Sequence, residues 1–204
     1  MPRGKFRWAG ALTLSLACTA PTTAAEISIE ANSTPSSALI GIDGTLVPAD
    51  VDQFRAKVAG IKKAAVIFRS NGGNLYAAIR IGKFIRAMNW ITYVPADVTC
   101  ASACALAWLG GTRRFADPTA RIGFHAAGTN EGGQVTETSF GNALIGAYLN
   151  EIGMSEEAIL YITSADPRSM RWLSAEEAAR FGIELENLPT PNTRPPMPHK
   201  RPSR

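Results

Sequence analysis

The 204-residue sequence predicts an α/β domain whose parallel strands are joined by right-handed crossovers. Three observations point there. Short apolar runs of strand length recur at residues 38–42, 64–68, 91–94 and 121–124. Longer segments between and after them carry apolar residues at helical spacing. Glycines and small polar residues mark most of the boundaries between the two kinds of segment.

The elements follow in order. Residues 26–36 are polar and rich in Ser, Asn and Thr, and read as a linker. Residues 38–42 read as a strand and 51–58 as a helix. Residues 64–68 form a second buried strand, broken by Asn71, Gly72 and Gly73. Leu75, Ala78, Ile79, Ile85 and Met88 then share one helical face. Residues 91–94 make a third strand. Residues 101–109 are small and apolar, which suits a buried helix, and Gly110 and Gly111 stop it. Residues 121–124 form a fourth strand ending at His125, and 128–133 read as a flexible loop. Phe140, Leu144, Ile145, Tyr148, Leu149 and Ile152 make a strong helical stripe that Gly153 ends. Ser155 caps the next helix. Ser174 with Glu177 forms a capping box for another, closed by Gly182. No internal repeat is visible.

The two ends differ from this body. Arg3, Lys5 and Arg7 precede a short apolar stretch over residues 9–20, and Thr23, Ala24 and Ala25 are small. Residues 1–25 therefore read as a signal peptide cleaved before Glu26, with a periplasmic or secreted product. The apolar stretch is too short to span a bilayer comfortably. Ser15-Leu16-Ala17 is a poor lipidation sequence ahead of Cys18, so a lipoprotein is not expected. The tail, 189–204, is Pro-rich and basic and reads as disordered. Its charge suits either solvent or peripheral contact with an acidic membrane surface. Three basic residues lie in the leader and four in the tail, so the chain's +4 conceals a body of net −3. No basic face argues for nucleic acid. The domain proper is 37–188.

After cleavage two cysteines remain, Cys100 and Cys104. An oxidising compartment favours a disulfide between them. Four residues of separation on a regular helix disfavours it, whereas a turn leading into a helix would allow it. The pairing is open at this level. No further Cys or nearby His completes a zinc site, and neither a metal nor a cofactor is expected.

Three features carry chemistry. Ser70-Asn71-Gly72-Gly73 precedes a helix, and paired glycines let backbone N–H groups approach a ligand closely. Cys100-Ala101-Ser102-Ala103-Cys104 opens an apolar helix. His125 follows a strand. Singly, these are a turn, an N-cap serine and a structural histidine. Together they match a demand: a serine is a weak nucleophile until a base takes its proton and N–H groups meet the oxyanion. The chain has two histidines, and His199 lies in the tail, so His125 is the one candidate base of the domain.

Here the sequence resembles the Clp proteases. Residues 66–74, Val-Ile-Phe-Arg-Ser-Asn-Gly-Gly-Asn, look like the family's strand and Ser-Pro-Gly-Gly turn. Ala101-Ser102-Ala103 looks like its Ala-Ser-Met nucleophile turn. Residues 114–125, from Arg114-Phe115 through Pro118 and Arg121 to His125, follow its Arg-Phe-x-x-Pro-x-(Ser/Ala)-Arg-x-x-x-His run. Residues 172–178 and 181–183 are similar to its late Leu-Ser-Ala segment. The likeness runs over about residues 38–188. It implies the ClpP/crotonase-like fold, repeated ββα units with a C-terminal helical segment. It implies Ser102 as nucleophile, His125 as general base, and an oxyanion hole from the Ala103 N–H with an N–H of Gly72 or Gly73. It also implies a peptide or protein substrate lying as an added strand beside the glycine turn, and a homo-oligomer.

The chain departs from the family at three places. Met170 stands where the triad aspartate belongs, and Asp166 is the alternative third member. Asn71 replaces a proline. The stretch from His125 to Leu173 is short, so ring assembly does not follow. None of Lys57, Lys62, Lys63 or Lys83 falls in a segment suited to a Ser-Lys dyad. An exported serine peptidase is the first expectation. An inactive Clp-like envelope scaffold is the second, because of Met170. A crotonase-like thioester enzyme is the third, although acyl-coenzyme A is a cytoplasmic substrate.

Overall fold

The computed structural model of the chain describes residues 24–31 and 37–187. Residues 1–23, 32–36 and 188–204, which hold most of the expected leader and all of the expected tail, lie outside the described residues. A six-stranded sheet forms the floor. It comprises β1 (Glu26–Ala31), β2 (Ser37–Asp43), β3 (Lys63–Arg69), β4 (Ile91–Val94), β6 (Arg114–Ala116) and β11 (Glu186–Asn187), adjacent in that order. All neighbours are parallel except β1, which runs antiparallel to β2. A second sheet holds β5 (Thr99–Ala101), β7 (Arg121–Phe124) and β10 (Arg171–Trp172) in the order β10-β7-β5. The helices α1 (Asp50–Lys57) and α2 (Leu75–Ala87) each join successive parallel strands of the floor, as the alternation of runs and stripes requires.

Two expectations are corrected. Residues 26–31 are not linker but β1. Ile27 and Ile29 alternate with Glu26, Ser28 and Glu30, a period of two that six residues can satisfy. Ile27 is buried in the core while Ile29 is exposed, and Ser28 packs over Gly41. Nor are residues 128–133 a plain loop. They belong to a hairpin, β8 (Gly128–Glu131) with β9 (Gln134–Glu137), turning at Gly132 and Gly133. Both turn residues have positive φ, 60° and 87°, as a two-residue hairpin turn of the right twist demands.

The helix α3 (Ala103–Leu109) is the centre of the core, and every one of its residues is buried. Its small side chains let α2 approach closely. A Cβ on Gly110 would stand 2.3 Å from the Gly82 carbonyl oxygen and 2.6 Å from its Cα. Beside Gly82, Tyr148 on α4 (Ser139–Glu151) donates its buried hydroxyl to the Leu106 carbonyl at 3.0 Å. The C-terminal carbonyls of α3 are held by Arg114, whose guanidinium is buried. It donates to Leu109 O at 3.4 Å and Gly111 O at 3.1 Å, and pairs with the Glu184 carboxylate at 3.2 Å. Burial lowers its pKa, and Glu184 offsets part of that. Thus the Arg-Phe motif ties the end of α3 to the end of the domain. Arg121 stacks on Trp172 at 4.0 Å, joining two further motifs across β7 and β10.

The remaining helices are α5 (Glu156–Thr163) and α6 (Ala175–Arg180). Ser155 caps the first, and the Ser174–Glu177 capping box closes in both directions on the second. Among the described residues no helix is long and apolar enough to cross a membrane.

The close approach of α2 and α3 makes Gly110→Ala an overpacking change with backbone on the far side. It should destabilise the fold by about 3 kcal/mol and lower Tm by roughly 6–12 °C. Calorimetry that finds Tm unchanged would show that the two helices separate freely.

Candidate active site

The strands β5 and β7 run parallel, with Thr99 beside Arg121 and Ala101 beside Gly123. Ser102 and His125 each follow the last residue of their strand, so the two leave one edge of the sheet from adjacent strands, about 4.8 Å apart. The Ser102 N–H donates to Gly123 O at 2.8 Å, fixing that edge. Both side chains are half-buried and line the same cavity, of ≈ 360 Å³, between α2 and α4.

Ser102 sits in a conformation that few L-residues adopt, with φ 55° and ψ −126°. Such a backbone costs of order 1–3 kcal/mol and persists where its surroundings over-determine it. The serine precedes α3 without capping it, because its hydroxyl makes no cap hydrogen bond. The hydroxyl is therefore not consumed by helix architecture. The helix also begins two residues later than residue 101, since Ala101 is still in β5. That left-handed turn brings Cys100 and Cys104 to a Cα separation of 5.2 Å, with their sulfurs 2.09 Å apart and both residues buried. A regular helix would not have met this geometry.

Gly72 is the opposing wall. A Cβ there would meet Ser102 Cβ at 2.8 Å and Ala101 O at 2.9 Å, and its φ of 108° belongs to glycine. The turn is spliced to β5 by Ser70 N–H to Thr99 O and Ala101 N–H to Ser70 O, both 3.0 Å. The Gly72 N–H donates to the Ser70 hydroxyl at 3.0 Å. Gly72 is thereby removed from the expected oxyanion donors, and its part is close packing. Gly73 differs. Leu46 N–H donates to Gly72 O at 2.9 Å and Asn74 N–H to Leu46 O at 2.8 Å, a parallel bridge that occupies one side of the segment. In that pattern the Gly73 N–H faces the opposite side. Gly73 and Ala103 both line the cavity, and Ala103 is the first residue of α3, where an N–H has no partner in its own helix.

The third member of the expected site is also corrected. His125 Nδ1 lies 2.7 Å from the Ala126 carbonyl oxygen. A carbonyl only accepts, so Nδ1 carries the hydrogen and Nε2 presents a lone pair. Asp166 is near in backbone, since Ala126 N–H donates to Ala165 O at 2.8 Å. Its carboxylate is engaged elsewhere. It accepts from Arg168 N at 2.8 Å, Nε at 2.9 Å and Nη2 at 2.8 Å. The side-chain hydrogen bonds from Arg168 hold its pKa well below the usual carboxylate range. Asp166-Pro167 is a turn in which the aspartate serves its own chain. Met170 packs on Gly123, and the antiparallel register of β10 with β7 sets it one step past Arg171↔Phe124, across from His125.

The cavity is apolar along its walls, with Leu75, Leu106, Leu144 and Ile145, and Tyr76 and Phe140 stand exposed at its rim. The sequence reading assigned Leu75, Leu144 and Ile145 to helical stripes, and periodicity cannot say that these stripes converge on one hollow. It names Ser70 in the glycine turn but gives its side chain no part, although that hydroxyl fixes the turn, and it passes over Leu46, whose role is entirely main-chain.

No family model matches the sequence, and no curated protein does. Solved structures match in fold. A membrane-bound stomatin-specific protease, 1510-N, superimposes with a TM-score of 0.55 at 18% identity, covering 71% of this chain and 76% of that one. The ClpP protease catalytic domain from Plasmodium falciparum gives 0.55 at 18%, covering 77% and 88%. A methylmalonyl-CoA decarboxylase gives 0.51 at 11%, covering 79% and 67%. The fold is ClpP/crotonase-like, an architecture that these proteins use for different chemistries.

The imidazole geometry has a spectroscopic consequence. In the neutral ring of His125, ¹⁵N spectra should show Nδ1 protonated and Nε2 bare. A predominant Nε2–H form would mean that the Ala126 carbonyl does not orient the ring.

Proposed function

We propose that this chain is an exported serine hydrolase acting on peptide or protein substrates. The observation that carries the reading is Ser102, held in a strained turn with its hydroxyl unspent, sharing one cavity with a histidine whose Nδ1 is already committed. Nε2 of His125 takes the Ser102 proton as Oγ attacks the scissile carbonyl carbon. The Gly73 and Ala103 N–H groups receive the developing oxyanion. The protonated ring gives its proton to the leaving amine, and water then releases the acyl group by the same steps. The free side of Gly73 suits an extended substrate lying as an added strand. The apolar walls suit a hydrophobic side chain next to the cut.

Without a carboxylate, the Ala126 carbonyl orients the ring but supplies only a dipole to the imidazolium. In the serine-protease template, loss of the aspartate costs about four orders of magnitude in rate. The enzyme is therefore a slow one. Met170 also favours a second reading, an inert Clp-like scaffold of the envelope. Export rests on the charged start, apolar stretch and small residues of 1–25. A Cys100–Cys104 bridge fits a periplasmic or secreted home and would brace both sides of Ser102. The basic tail fits peripheral contact with an acidic membrane surface.

A fluorophosphonate probe tests the chemistry. Labelling of the folded protein should vanish in Ser102→Ala and fall at least about a hundredfold in His125→Ala. Asp166→Asn should leave the rate within about twofold. Met170→Asp should raise it, since it restores a carboxylate across from the ring. No labelling of the folded protein would favour the scaffold, and a large loss in Asp166→Asn at unchanged Tm would return Asp166 to the site.

The bridge has its own measurement. Thiol titration of the mature protein, unfolded without reductant, should find no reactive thiol. Two thiols would remove the brace.

A further inference from the structure

Asp50, the first residue of α1, is a fully buried carboxylate that the proposed chemistry does not use. Its Oδ2 accepts the Val47 N–H at 2.7 Å and, at a long 3.4 Å, the N–H of Ala25. Its Oδ1 has no hydrogen-bond partner. Among the described residues no lysine or arginine pairs with it. A carboxylate oxygen sealed from water without a donor is among the costlier arrangements a fold can hold, so it calls for a cation.

We infer that the leader is removed between Ala24 and Ala25, and that the new α-ammonium of Ala25 docks on Asp50. The inference rests on the export reading. Ala25 is itself buried, and its backbone nitrogen already lies against the carboxylate. As an amide that nitrogen offers one neutral N–H. Hydrolysis, catalysed by a leader peptidase, adds water across the bond. Ala24 leaves with a carboxylate, and Ala25 keeps the nitrogen and takes up a proton. The product has three N–H donors and a positive charge, enough for both Asp50 oxygens.

The small residues that place the cut before Glu26 fit the bond before Ala25 equally well. Ala24 with Thr22, and Ala25 with Thr23, both place small residues at the last and third-last positions of the leader. Asp50 does choose. Cleavage one residue later would discard Ala25 and leave the buried carboxylate with Val47 alone. The contact also touches the site. Val47 follows Leu46, whose N–H and carbonyl bracket Gly73, so the docked end braces the segment that bridges to that glycine.

An α-amino group titrates near pH 8 in an unfolded chain, and a buried carboxylate raises that value in the folded one. The stabilisation is therefore complete below about pH 8 and is lost as pH rises through the raised pKa.

The first test weighs the mature product of the full chain, exported from a suitable host, by intact mass spectrometry. The expected mass begins at Ala25. A product beginning at Glu26, or at any other residue, overturns the cleavage. Retention of Met1 overturns the export reading and the cleavage with it. Docking is read separately. The chain beginning at Ala25, released in vitro from a fusion, is compared with one that keeps Ala24. At pH 6 the Ala25 chain should melt at least about 4 °C higher. The gap should shrink as pH rises above about 8 and be absent in Asp50→Asn. Equal melting at pH 6, or a gap indifferent to pH, overturns the docking even where Asp50→Asn fails to fold.

Discussion

The contact of Gly72 with the Ala101 and Ala103 backbone and the Ser102 Cβ is the constraint on which the site depends. It leaves no room for a side chain on one partner and forces the other through a left-handed turn. From that turn follow the free hydroxyl of Ser102, the late start of α3 and the meeting of Cys100 with Cys104. Ser70 secures it twice, with its main chain on β5 and its hydroxyl on the Gly72 N–H. The glycine turn and the Ser102 turn are thus one object assembled from two strand ends. That explains why two glycines with the same local sequence do different work: Gly72 spends its N–H inside the assembly, and Gly73 faces out of it.

Much of this was legible in the sequence, and the limits were physical. The long elements, the caps and the order of the chemical motifs could be read because each depends on neighbours in the chain. The Ser174–Glu177 box and the Gly110 stop are such cases. Strands of two or three residues, β5, β6, β10 and β11, carry too few residues for a period to show. β1 was misread because its two isoleucines are outnumbered by polar residues, although their alternation was present. The third site member could not be read either. Spacing brought Asp166 into consideration, but only geometry reveals that Arg168 takes its carboxylate.

Electrostatics in the site is correspondingly spare. Its ring is oriented by a carbonyl, the oxyanion donors proposed for it are main-chain, and its walls are hydrocarbon. The Asp166 carboxylate, close to the ring in backbone, is held by the Arg168 guanidinium. Such a site relies on placement more than on charge, which puts the demand on the rigidity of α2, α3 and the two strand ends.

Arg114 makes the central helix answerable to the far end of the domain. Its guanidinium donates to the main chain of Glu184, seventy residues further on. The bonds from Arg114 to Leu109 and Gly111 are local, whereas the Glu184 contact joins segments far apart in the chain. A chain cut before Glu184 would leave the buried guanidinium without its distant carbonyl and its carboxylate partner, a costly loss for a charge held away from water.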